Sequence, residues 1–313
     1  MKRAAVLILS LGILSVSIAA CGGAQPAQEA AAPAAVVPAA PTAVPVTAGW
    51  TTTEGIKTPE SVYHDPVSGF IFTSQIDGAP DGRDGNGRIV KLNGDGSVVN
   101  ANFVTGLNAP KGLRACDGTL WAADIGEVLA IDVATGAIKS RVAIADAGFL
   151  NDVACAGTTA YVSDMMGNKI WAVTNGAATI AAEGAALEFP NGLLVDGDRF
   201  IIGGWGSQPR ADFTTEVGGR LFTYDMKTKQ KTLLSPKPIG NIDGLESDGA
   251  GGWVVSDYLA GKLFHVSASG AVKEIRQFKP GAADIGFMFP GIVMVPHMNE
   301  NQVAAYDISA DLK

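Results

Sequence analysis

From residue 59 onward, short runs of apolar and β-branched residues alternate with tight polar turns, and the pattern keeps returning. It reads PESVYHDPVSGFIFTSQ from 59, PKGLRACDGTLWAAD from 110 and LNDVACAGTTAYVSD from 150. It returns as PNGLLVDGDRFIIGGW from 190, IDGLESDGAGGWVVSD from 242 and ADIGFMFPGIVMVPH from 283. Each copy predicts a short strand, a turn on Asp-Gly or Gly, and a second strand rich in Val, Ile, Trp and Tyr, as in TLWAAD and AYVSD. Phrases such as EVLAIDVATG, KIWAV, RLFTYDMKTK, KLFHVSASG and QVAAYDIS predict a third strand, and a weaker fourth completes the unit. No long segment here keeps a 3.6-residue period without Gly or Pro, so helices are excluded as the main element.

One polar position changes from copy to copy: Glu60, Lys111, Asn151, Asn191, Asp243 and Asp284, at spacings of 51, 40, 40, 52 and 41. A repeat of that length built from several short strands predicts an all-β, six-bladed β-propeller. After QVAAYDIS only four residues remain, so the sixth blade lacks its outer strand. Trp50-Thr51-Thr52-Thr53 has β-favouring composition and is expected to supply it, giving a ring closed by an N-terminal strand with fewer free edges.

The segment before the repeats has a different character. Lys2 and Arg3 precede an apolar run from Ala4 to Leu14, and Ile18-Ala19-Ala20-Cys21 follows, so residues 1–20 read as an export signal. The small residues before Cys21 resemble a bacterial lipobox, which implies lipidation of the Cys21 thiol; an ordinary signal peptide is the alternative. The apolar run falls short of the roughly 18 to 20 residues that a membrane span needs. Residues 21–48 are nearly all Gly, Ala, Pro, Gln, Thr and Val, and read as a tether. The propeller is then 49–313. The implied location is the cell envelope, lipid-anchored through Cys21 and facing periplasm or exterior, with the folded part a monomer.

Charge narrows the partners. The chain carries a formal −8, and −10 without Lys2 and Arg3. An acidic surface argues against nucleic acid and is compatible with cations.

In a propeller the innermost strands line a central channel, so the six varied residues are expected to meet at its mouth. Three carboxylates, two amides and one ammonium form that expected ring. Crowded carboxylates need protons or a cation, and an all-oxygen donor set suits Ca²⁺ better than zinc. His64, His265 and His297 are scattered, with His297 ending a second strand near a loop.

With Glu, Asn, Asn and Asp at four blade entrances, the chain resembles the regucalcin/gluconolactonase family of six-bladed propellers (the senescence marker protein, gluconolactonase and luciferin-regenerating enzyme group). The resemblance implies Glu60, Asn151, Asn191 and Asp243 as metal ligands, with Ca²⁺ or another divalent cation. It also implies Asn151 at the substrate and Asp243 as base or nucleophile, in a hydrolase of a small-molecule lactone or related ester. A non-catalytic ligand- or partner-binding propeller with a structural metal is the other reading. Lys111 departs from the family pattern. Its two readings are an ion pair with Asp284 or Glu60 and a contact to an anionic substrate group.

Other features are weaker. Asp124, Asp164 and Asp257 end second strands and are expected to accept backbone N–H groups. The loop 77–87 is expected to lie over the mouth. Residues 203–219, with Trp205, Arg210 and Phe213, read as a lid or as a surface insertion. Cys116 and Cys155 hold nearly matching places in adjacent blades, and a disulfide between them stays open.

Overall fold

The computed structural model describes residues 42–313. The expected leader and Cys21 lie outside the described residues. Among the described residues no helix is long and apolar enough to cross a membrane.

Among the described residues, six four-stranded antiparallel sheets follow one another along the chain, with one short two-stranded hairpin beside them. Blade 1 comprises Pro59–His64, Ile71–Gln75, Gly87–Leu92 and Val98–Leu107. Blade 2 comprises Pro110–Cys116, Thr119–Asp124, Glu127–Asp132 and Ile138–Ala143. Blade 3 comprises Leu150–Ala156, Thr159–Asp164, Lys169–Thr174 and Ala177–Glu183. Blade 4 comprises Pro190–Asp196, Arg199–Gly204, Leu221–Asp225 and Lys231–Leu233. Blade 5 comprises Ile242–Ser247, Trp253–Asp257, Lys262–Val266 and Val272–Gln277. Blade 6 has Gly286–Met288, Ile292–His297 and Gln302–Asp307, with Thr51–Thr52 as its outermost strand. In each sheet the first strand faces the centre, and these inner strands touch those of the neighbouring blades.

Turn chemistry keeps the strands short. Between Cys116 and Thr119 the chain reverses in two residues, Asp117 at φ 48° and Gly118 at φ 71°. That is the left-handed pair which Asp-Gly supplies to a two-residue hairpin. Asn175 and Gly176 do the same in blade 3.

Alternating side chains along the strands bury both faces of each blade against its neighbours. The apolar core is accordingly divided into wedges, each shared by two blades. Phe72, Phe103, Leu113 and Leu120 join blades 1 and 2, while Trp121, Leu150, Val162 and Trp171 join blades 2 and 3. Ring closure obeys the same logic. Thr51 pairs with Ala304 and Thr52 with Val303, as the missing outer strand requires. Thr52 Oγ1 also donates to Gly96 O at 2.6 Å, latching blade 6 to blade 1. The packed chain reaches back into the Ala/Pro-rich stretch, because Val46 is buried in the wedge between those two blades.

Every inner strand of blades 1 to 5 carries the same irregularity. The ladder skips between Pro59 and Val62, Pro110 and Leu113, Leu150 and Val153, Pro190 and Leu193, and Ile242 and Leu245. Two residues at each skip leave the ladder as a bulge, which re-aims side chains. The first is the varied residue, and in blades 2, 4 and 5 the second is a glycine for a steric reason. A Cβ on Gly192 would lie 2.7 Å from Asp243 O, and one on Gly244 would lie 2.2 Å from Ile285 N. The repeated Asn-Gly and Asp-Gly pairs inside these strands are thus bulges, where the next blade's backbone leaves no room for a side chain.

The same register corrects the sixth blade. Ala282 pairs with His297 just as Pro59 pairs with Gln75. Ala283 therefore occupies the varied position, and Asp284 occupies the second bulge position, level with Ser61 and Asp152. Ser61 and Asp284 are bridged directly.

Cys116 and Cys155 form a disulfide that ties the inner strands of blades 2 and 3 at the end away from the bulges.

Candidate functional site

The five bulges of blades 1 to 5 send Glu60, Lys111, Asn151, Asn191 and Asp243 to the floor of one cavity of about 230 Å³. All five are buried. The expected ring is therefore assembled, with one correction. Asp284 does not line the cavity; its Oδ2 accepts from Ser61 Oγ at 2.5 Å, one level deeper. The sixth ring position is Ala283, which brings no polar group.

The floor has an unusual set of hydrogen bonds. Asn191 Nδ2 donates to Asp243 Oδ1 at 2.9 Å. Glu60 Oε2, Asn151 Oδ1 and Asn191 Oδ1 are buried without a hydrogen-bond partner. Buried polar oxygens are normally satisfied, and leaving one bare costs on the order of 1–3 kcal/mol. The three bare oxygens come from three different blades and share one floor.

Electrostatics agree. Burial raises the proton affinity of Glu60 well above the carboxylate range, Asp243 and Asp152 add to it, and Lys111 opposes it. Burial is also the main cause for Asp243, pushed up to about 7; Asn191 lowers it, while Asp152 and Asp257 raise it. A positive ion between these groups would remove that cost.

The residues present fit an oxygen-liganded divalent cation: carboxylates from Glu60 and Asp243 and amide oxygens from Asn151 and Asn191. Among the described residues no three or more His, Cys, Asp or Glu side chains are grouped to share one ion; here two of the four donors are amides.

Lys111 departs from one of its two expected readings. Among the described residues it makes no ion pair with Glu60 or Asp284. Its ammonium donates to Pro80 O at 2.8 Å and Ala109 O at 2.9 Å, and lies 4.6 Å from the Phe149 ring centre.

Above the floor stands an apolar collar that the motif reading missed. Ile76, Met165, Trp205, Tyr258 and Met298 line the cavity. Each is the residue just after a second strand ends, in blades 1, 3, 4, 5 and 6. The signal was in the sequence: one apolar residue follows TSQ, VSD, IIGG, VSD and VPH. The strand-ending aspartates themselves are structural, as expected. Asp124 accepts from Asn108 N and Ala109 N, and Asp164 from Gly148 N, Phe149 N and Gly167 N. Asp257 accepts from Ala260 N.

Two loops complete the walls. Pro80 from the 77–87 loop reaches the cavity, as do Asp212 and Phe213 from the 203–219 segment. That segment is a two-stranded hairpin, Gly206–Ser207 on Val217–Gly218, tied down by Trp205 Nε1 donating to Phe213 O at 2.8 Å. Arg210 stays outside the lining. His297 is part of the core rather than a loop: it is buried, its Nε2 meets Tyr306 OH at 2.8 Å, and it packs on Phe278.

No protein-family model matches this chain, and no curated protein sequence matches it. Solved structures do match in shape. A chain of the nidogen/laminin complex superposes with TM-score 0.59 at 15% identity, over 73% of this chain and 89% of its own. Streptogramin B lyase superposes with TM-score 0.53 at 11% identity, over 82% and 96%. A catalytically inactive virginiamycin B lyase from Staphylococcus aureus with quinupristin gives 0.52 at 12%, over 82% and 97%. This chain is a six-bladed β-propeller. At such identities the likeness extends to the fold alone, and propellers of this shape include a lyase as well as a chain from a protein–protein complex. Function must be argued from the site.

Proposed function

We propose that this propeller is a divalent-cation-dependent hydrolase of a small lactone or related ester. One observation carries the reading. Glu60, Asn151 and Asn191 present three unpartnered oxygens beside Asp243, at the floor of a small, largely apolar cavity.

Glu60, Asn151, Asn191 and Asp243 would hold the cation, Ca²⁺ by the chemistry of its donors. Bound there, a divalent cation supplies Lewis-acid polarisation of a carbonyl. The chain's own groups do the rest. Asp243 takes a proton from water as that water's oxygen bonds to the acyl carbon. The acyl C–O bond breaks and the proton passes to the alkoxide, giving one hydroxy acid from a lactone, or an acid and an alcohol from an open ester. Asn191 fixes the Asp243 carboxylate through its 2.9 Å hydrogen bond, and Asn151 orients the substrate. The collar of Ile76, Met165, Trp205, Tyr258 and Met298 excludes bulk water. At about 230 Å³ the cavity is smaller than the roughly 300–1,000 Å³ of most ligand sites, which selects a small substrate.

The Cys116–Cys155 bond fits an oxidising compartment. That supports export, and with it the proposed lipid anchor at Cys21 in the cell envelope.

Lys111 favours a second reading. Its ammonium is a fixed positive charge on the same floor, as a ligand-binding propeller without chemistry would need. The deciding experiment assays the cation-loaded protein on a panel of γ- and δ-lactones and aryl esters. Turnover that disappears in Asp243→Asn supports the hydrolase. No turnover despite a filled cation site moves the assignment to ligand binding.

A further inference from the structure

Lys111 is 1% exposed, among the most deeply buried large side chains of the protein, yet its ammonium faces the cavity. Two of its three N–H groups go to Pro80 O and Ala109 O, and the Phe149 ring lies against it at 4.6 Å. Burial lowers its proton affinity, while the Glu60, Asp124, Asp81 and Asp243 carboxylates oppose that. The contacts favour the charged form, because two carbonyl oxygens accept from the ammonium and the ring face beside it attracts a cation.

The third N–H has no protein acceptor. Carboxylates close enough to act on Lys111 are already engaged. Asp124 accepts from Asn108 N at 2.9 Å and from Ala109 N at 2.7 Å. Asp243 accepts from Asn191 Nδ2. Glu60 is committed to the cation on the reading above, on which this inference rests. Asp81 is exposed at the surface. A buried charge with a free donor is costly unless something pairs with it, and the side left open is the cavity.

The walls add a second constraint. Phe149 and Phe213 stand 5.3 Å apart between ring centres on the loop side, and Trp205 and Tyr258 stand 6.1 Å apart on the collar. Both pairs belong to the lining. Rings so arranged favour a flat, apolar body by stacking and edge contacts. Lys111 is the single basic side chain among the lining residues. A single positive charge balances one carboxylate, whereas a doubly charged phosphoryl group would leave one buried charge unpaired.

We propose that the substrate is a small aromatic or similarly flat monocarboxylate, whose free carboxylate pairs with Lys111 while its ester or lactone carbonyl lies over Glu60, Asn151, Asn191 and Asp243. Lys111 is then the specificity-determining residue.

The test reads binding rather than turnover. Phenylacetate and phenylacetamide, alike in shape and different in charge, are titrated calorimetrically into the full-length protein loaded with Ca²⁺. Phenylacetate should bind at least tenfold more tightly. Lys111→Met and Lys111→Gln should abolish that preference while changing phenylacetamide affinity less than twofold. Equal binding of the two probes to the wild type overturns the proposal, whether or not either variant folds. A preference that survives in a folded Lys111 variant and disappears with EDTA also overturns it, because the cation would then hold the carboxylate. Neither result depends on hydrolysis. A protein that prefers phenylacetate but turns over no ester refutes the hydrolase reading alone, and one that hydrolyses neutral esters without the preference refutes this proposal alone.

Discussion

Asn191 and Asp243 meet across the boundary of blades 4 and 5, Nδ2 donating to Oδ1 at 2.9 Å. The contact fixes which way the amide points, and so leaves Asn191 Oδ1 turned away from Asp243 without a partner. It also positions the carboxylate proposed to take the proton. Asp243→Asn keeps the side chain's shape but cannot accept a proton, so hydrolysis should fall at least about 100-fold. Circular dichroism and melting temperature should be little changed. Full activity in this variant would remove Asp243 from the chemistry.

Six carboxylates set the pH response. Glu60, Asp152, Asp243, Glu246, Asp257 and Asp284 all bind protons more tightly in the fold, with burial the leading cause, and Asp152 and Asp243 are pushed up to about 7. A carboxylate whose folded value lies above its unfolded value stabilises most when protonated. That contribution is complete below the ordinary Asp value of 3.8 and is lost as pH rises toward about 7. Carboxylates held below their ordinary range, such as Asp132, Asp225, Asp248 and Asp307, act oppositely but below pH 5, while burial lowers the proton affinity of His64 and His297, which opposes the trend within the interval. Cation-free protein should therefore melt at a lower temperature at pH 7.5 than at pH 5, and Asp152→Asn should flatten the trend. A melting temperature that climbs over this interval would contradict the burial account.

Below the floor, Arg114 of blade 2 reaches Glu246 of the opposite blade at 2.8 Å, with the Tyr63 ring 5.0 Å from its guanidinium carbon. Arg114→Met leaves the largely shielded Glu246 unpaired, which should cost about 3 kcal/mol by denaturant unfolding. Adding Glu246→Leu should recover most of that loss. Equal damage from the single and double variants would show that the pair is not coupled.

The bulge glycines make a steric prediction. Gly244→Ala would place its Cβ 2.2 Å from Ile285 N, and backbone cannot yield as a flexible side chain can. It should destabilise by more than about 2 kcal/mol, whereas alanine at Gly85, with no atom within 4 Å of the new Cβ, pays only for its positive φ.

The disulfide joins two blades across a sequence separation of 39. The unfolded, unreduced protein should show no free thiol at Cys116 or Cys155. Replacing both by alanine should cost on the order of 3 kcal/mol and leave the cation site intact.

The blades and their closure were legible because strand alternation and turn chemistry are local, and six copies reinforce one another. Glu60, Lys111, Asn151, Asn191 and Asp243 were legible for the same reason. The sixth blade misled because no proline or bulge glycine marks its register and, unlike LNDV of blade 3, it has no polar residue at the varied position. Its aspartate, the one polar letter in reach, stands one place too late for the ring. Ala283 restores the spacing of 40 found between blades 2, 3 and 4. Lys111's true partners are backbone carbonyls, and side-chain letters hold no record of those. The bulge is likewise a tertiary fact, since Gly192 and Gly244 answer to a neighbouring blade's backbone and not to a turn of their own.

The central claim is that the floor of the propeller holds a divalent cation. Calorimetric titration of Ca²⁺ into metal-stripped protein tests it most directly, in the wild type and in Glu60→Gln. Saturable binding at one site, lost or weakened at least tenfold in Glu60→Gln, is the predicted result. No heat of binding, or binding that Glu60→Gln leaves unchanged, would contradict it.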